Sequence, residues 1–115
     1  MSTTIEAYKI QFVRRFVIND YEEEMISISD VFSRFFDDFT DTEDVNRYLL
    51  STVNDVLNGV VSEKLMKSNT MVTAKITNKA TMFFQGLSTD LPDFSLPTTD
   101  LKEIVEAWLN YLENN

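Results

Sequence analysis

Leu91–Leu112 reads LPDFSLPTTDLKEIVEAWLNYL. Two prolines frame a short loop. Thr98, Thr99 and Asp100 each carry an oxygen that can accept a bond from a free N–H of a first helical turn, and Asp100 and Glu103 have capping-box spacing. Leu101, Ile104, Val105, Trp108, Leu109 and Leu112 then recur at helical spacing, with the chain's one tryptophan near the centre. Such a stripe is wide enough to cover the face of a sheet. The rest of the chain is expected to supply that sheet.

Upstream, the sheet comes as hairpins. Ile5–Ile18 alternates, with Tyr8, Ile10 and Phe12 on one face, and reads as a strand interrupted by Arg14 and Arg15. Asn19-Asp20-Tyr21 supplies turn chemistry, and Glu22–Ser29 alternates again. Glu22, Glu23 and Glu24 are expected to stay solvated. Further on, Val72, Ala74 and Ile76 oppose Met71, Thr73 and Lys75. Thr77-Asn78-Lys79 can turn, and Ala80–Gln85 returns as a second strand closed by Gly86.

Two helices separate the hairpins. Ser29 or Asp30 can cap the first, which carries Val31, Phe32, Phe35, Phe36 and Phe39. DDFTDTED, residues 37–44, breaks it. Thr40 and Glu43 have box spacing for the second, where Val45, Tyr48, Leu49, Val53, Val56, Leu57 and Val60 recur. Asn58-Gly59 ends it, unless it runs on to Leu65. The order β-β-α-α-β-β-α, with strands paired as hairpins, predicts one α+β domain over residues 1–115, an antiparallel sheet packed against helices.

The composition fits that reading and narrows the function. The chain has 115 residues, 43% of them hydrophobic, with nine Phe, two Gly and two Pro. That is one domain with enough apolar material for a core. No stretch approaches the ~20 apolar residues of a membrane span, and no leader-like segment opens the sequence, so a cytoplasmic location is expected. Cys and His are both absent. Ser-His-Asp and Cys-His catalysis, thiol redox chemistry and ordinary zinc sites fall away. Two glycines make no phosphate loop. Paired carboxylates remain a route to acid–base chemistry, but so short a chain has little material for both a cleft and a core. No enzyme activity, cofactor or metal is expected. The acids of residues 37–44 lack the spacing and turn glycine of a calcium loop.

The net charge of −9 repels nucleic acid and anionic lipid and attracts basic partners. Only 64–79 reverses the sign, with Lys64, Lys67, Lys75 and Lys79 and no carboxylate. A small acidic protein without catalytic groups suits the occlusion of a basic active-site groove, carboxylates steering the encounter. Asp37, Asp38, Asp41, Glu43 and Asp44, together with Asp90, Asp93 and an exposed Phe94 between the prolines, are the candidate contact residues.

LPTTDLKEIVEAWLNYLE, residues 96–113, resembles the ending of small bacterial immunity proteins of contact-dependent inhibition and related polymorphic toxin systems. The hairpin TMVTAKITNKATMFF, residues 70–84, shares the likeness loosely. The resemblance implies a protein, monomeric or weakly dimeric when free, that binds and neutralises a cognate toxin domain such as a nuclease. An acidic nucleic-acid mimic of phage type and a non-catalytic adaptor are the competing classes. The lysines of 64–79 argue against a continuous acidic stripe of the first kind.

Overall fold

Thr98–Glu113 is indeed a long helix, and its stripe lies deep in the core. The computed structural model describes residues 3–86 and 91–114. Leu101, Ile104, Val105 and Trp108 are fully buried, and Leu112 nearly so. The helix covers strands and helices at once. The Trp108 ring contacts Phe12, Phe36 and Tyr111, and its indole N–H donates to the Phe39 carbonyl at 2.6 Å.

The helix begins ahead of the expected caps. Pro97 is the N-cap, and no side chain caps the end. Thr98 is buried and its hydroxyl turns to the sheet, donating to the Thr77 carbonyl at 2.5 Å and meeting the Thr81 hydroxyl at 2.9 Å. Asp100 lies inside the first turn, which suits the helix dipole. It accepts from the Tyr8 hydroxyl at 2.8 Å. The helix start is therefore fastened by tertiary bonds rather than by a local box.

The strands form two sheets, not one. β1 (Gln11–Val17) and β2 (Asp20–Ile26) make a separate two-stranded ribbon. β3 (Glu63–Lys67), β4 (Val72–Thr77), β5 (Ala80–Gln85) and β6 (Phe94–Pro97) make an antiparallel sheet in the order β3-β4-β5-β6. The α+β class holds; the element order gains a short N-terminal helix and two edge strands. Thr3–Ala7 is helical, and the chain reverses at Lys9 (φ 53°), so β1 starts later than the alternation implied. Arg14 and Arg15 do not interrupt β1. They sit in register with Glu23 and Glu22.

One face of the larger sheet meets the helices. Val72, Ala74 and Ile76 of β4, Phe83 of β5 and Leu96 of β6 are buried there. Against them lies the Phe-rich helix Asp30–Phe35, continued by a 3-10 turn, Phe36–Asp38. Ser29 caps it as expected, accepting from the Phe32 N–H at 3.2 Å. Phe32, Phe35 and Phe36 are buried, and the Phe32 and Phe35 rings both meet Phe83 edge-on. Edge-to-face contact adds about 0.5–1.5 kcal/mol per pair beyond area burial.

The next helix spans 42–57. It opens as Thr42–Asp44, widens into a π-helical stretch, Val45–Leu50, and closes as Ser51–Leu57. Val45, Leu49, Val53 and Val56 form its buried line, while Tyr48 and Val60 of the expected stripe are exposed. Gly59 (φ 77°) ends it, and the continuation to Leu65 does not occur. Its cap is Asp41, which accepts from the Glu43 N–H at 2.8 Å, rather than Thr40. Among the described residues, no helix is long and apolar enough to cross a membrane.

Candidate functional site

The ribbon β1–β2 buries apolar side chains in the core at one end only. Phe12 and Met25, opposite each other at its root, pack inward, and Phe12 lies against Trp108 and Tyr111. Toward the tip the apolar side chains are outside. Phe16 and Tyr21, also opposite each other, are each 60% exposed with ring centroids 5.1 Å apart. The Arg14 guanidinium stands 5.8 Å from the Tyr21 ring centre.

The two-residue loop between Val17 and Asp20 is Ile18-Asn19, both left-handed at φ 42° and 67°. Such loops suit the twist of a hairpin, and Asn or Gly is the usual choice for them. Ile18 is not: a β-branched residue is strained in this region. It is also 89% exposed. Folding alone gives no reason for a large, branched, unpacked side chain at a point where the backbone disfavours it.

Beside the ribbon, an open cleft of about 510 Å³ lies between β2 and the 3-10 turn. Arg15, Tyr21, Glu22, Glu23, Glu24, Asp37 and Thr40 line it. Three of its four carboxylates come from consecutive residues of β2 and the fourth from the 3-10 turn. Glu23 has local partners. Its carboxylate accepts from the Tyr111 hydroxyl and from the Arg14 Nε at 2.7 Å, and these bonds hold its pKa below the ordinary carboxylate value, Tyr111 contributing most. Arg15 pairs with Glu24 at 2.9 Å. Asp37 has the opposite shift. Partial enclosure raises its pKa first, and the charges of Glu24, Asp38 and Glu22 raise it further against the pull of Arg34. The cleft is thus a place where negative charge is under-compensated.

The acidic corner of residues 37–44 does not act as one patch. Asp37 faces the cleft. Asp38 accepts from the Asn69 N–H and ties the 3-10 turn to the turn before β4. Asp41 is a cap, and Glu43 pairs with Arg47 one helical turn on at 3.3 Å. Asp44 is half-buried in the first turn of its helix. Near the C-terminal loop, Asp93 accepts from the Gln85 N–H at 2.7 Å and stays exposed. Asp90 lies outside the described residues. Phe94 is not an exposed anchor: it belongs to β6, and its ring contacts Tyr8, Phe32 and Phe83. Pro97 ends this edge strand and Pro92 precedes it, and an edge tolerates a missing N–H.

Glu22, Glu23 and Glu24 were expected to be merely solvated, yet they form the cleft wall. Their run of three in a strand was a signal, but Asp37 joins them only through the fold. Among the described residues, no group of three or more acidic side chains is arranged to hold a metal ion. The cleft's chemistry is that of a surface for cations: fixed carboxylates, exposed aromatics beside them and no buried nucleophile. Comparison of the chain with protein-family models, curated proteins and solved structures finds no match.

Proposed function

We propose that this chain is a protein-binding inhibitor of the immunity type, which docks its β1–β2 ribbon and adjoining acidic cleft onto a basic groove of a toxic enzyme such as a nuclease. The observation that carries the reading is the strained, fully displayed Ile18 next to a cleft with under-compensated carboxylates. Strain kept at an exposed residue that packs on nothing in its own fold is a mark of selection for contact. An apolar anchor ringed by charge is the composition of an interface centre with a steering rim.

The division of roles is specific. Phe16, Ile18 and Tyr21 enter an apolar recess of the partner. Glu22, Glu24 and Asp37 meet its lysines or arginines. Because a cation near Asp37 favours the ionised carboxyl, binding releases protons where Asp37 is partly protonated, and affinity falls as the pH is lowered through its raised pKa.

The test uses the product of the reading frame beside this one, purified as its C-terminal domain, and calorimetric titration at two salt concentrations. The triple substitution Glu22→Gln, Glu24→Gln, Asp37→Asn should weaken binding at least tenfold, equal to about 1.4 kcal/mol, and flatten its salt dependence. A smaller loss rules out the cleft as the contact. No binding by the unaltered chain rules out the partner class.

A further inference from the structure

The four-stranded sheet ends at β3, and the composition of that strand is self-complementary. β3 pairs with β4 alone, from Glu63 opposite Thr77 to Lys67 opposite Thr73. Its other edge has no strand partner among the described residues. An open edge offers a row of backbone N–H and C=O groups to another strand. Met66 packs against the core, while Leu65 is 54% exposed on the opposite face with Glu63 and Lys67.

We infer that β3 pairs antiparallel with the β3 of a second copy about a two-fold axis at Leu65. This occupant follows from charge. Two-fold pairing of edges places residues of like pleat opposite each other, so the axis passes through a residue and neighbouring registers differ by one such step. With the axis at Leu65, Glu63 faces Lys67 of the second copy at both ends, Leu65 faces Leu65 and Lys64 faces Met66. Moving the axis to Lys64 sets Lys64 against Lys64. Moving it to Met66 sets Lys67 against Leu65 and leaves Glu63 without a basic partner. Only the Leu65 register satisfies the charges.

Within its own chain Glu63 lies 3.6 Å from Lys75, a long and exposed pair that leaves the carboxylate able to take a second cation. Cross-strand pairs of this kind between exposed side chains are individually weak. The assembly is therefore weak and concentration-dependent. It lies on a different element from the ribbon and is independent of the function proposed above.

The test is a charge-swap pair read by sedimentation equilibrium over a hundredfold range of concentration. Unaltered protein should associate to dimers as concentration rises. Glu63→Lys alone leaves only basic side chains at both ends, and Lys67→Glu alone leaves only acidic ones, so each should associate at least tenfold more weakly. An equimolar mixture should recover dimers, because both basic ends of the first variant then face acidic ends of the second. Recovery in the mixture also shows that both variants are folded. Monomers at every concentration in the unaltered protein would overturn the inference and make the lysines a guard of the edge. So would a mixture no more associated than its components.

Discussion

The β1–β2 ribbon and the sheet under the C-terminal helix are both antiparallel, yet they are built on opposite terms. The larger sheet places Val72, Ala74, Ile76, Phe83 and Leu96 against Trp108 and the Phe-rich helix, all buried. The ribbon past Phe12 and Met25 is held by ion pairs, by the Tyr111–Glu23 bond and by one pair of exposed rings, with Phe16, Ile18 and Tyr21 in the open. Exposed ion pairs add little stability, about 0–1 kcal/mol each. The sheet region therefore carries the folding free energy. The ribbon is free to be shaped by something else, and its acids and rings are the material of recognition.

The contrast is broken most directly at Trp108. Trp108→Ala removes three ring contacts and a buried N–H bond, and should cost about 3–5 kcal/mol in urea unfolding. A loss below about 1.5 kcal/mol, well short of that range, would mean that the helix is not the lid of the core.

Tyr8 sharpens it at the seam between the N-terminal helix and the C-terminal one. Burial, and then the bond to Asp100, raise the Tyr8 pKa from 10.0 to about 12. A phenol whose folded pKa lies above its unfolded one stabilises the fold fully below pH 10.0. That contribution is lost as the pH rises toward about 12. Tyr8→Phe should cost about 1.5 kcal/mol at neutral pH, a hydrogen bond to a charged group in partial contact with water. It should also flatten the decline of stability over that alkaline interval. An unchanged alkaline profile would remove Asp100 from the account of how the helix start is fastened.

The smallest effect has the opposite sign. Ile18→Asn relieves a β-branched residue from the left-handed region and should raise stability by about 0.5–1 kcal/mol, while weakening capture of the partner. Gain of stability with unchanged binding would show that the tip is only a poorly chosen turn.

How much of this could be read beforehand differs between the two regions in the same way. The C-terminal stripe was legible because Leu101 to Leu112 repeats a helical period without interruption. The β4–β5 hairpin was legible from alternation and the Thr77-Asn78-Lys79 turn. The N-terminal helix was not, since Tyr8, Ile10 and Phe12 alternate across a chain reversal at Lys9 that no glycine announces. β3 and β6 were missed because edge strands need no buried face: one is charged and the other ends on a proline.

The candidate site was least legible. The acids of residues 37–44 cluster in sequence but are spread among a cap, an ion pair and a tie between turns. Glu22, Glu23 and Glu24 are distant from Asp37 in sequence and meet it only when β2 packs on the 3-10 turn. Periodicity reports what an element buries. It does not report which polar side chains two elements bring to one side.

The lone indole also makes the molecule its own instrument. Trp108 touches Phe12 at the root of the ribbon, Phe36 at the start of the 3-10 turn and Tyr111 on its own helix. Every photon emitted on excitation of the chain's tryptophan comes from this single site. Its wavelength and lifetime register the seating of the ribbon, and quenching by a soluble collider measures how often that seat opens.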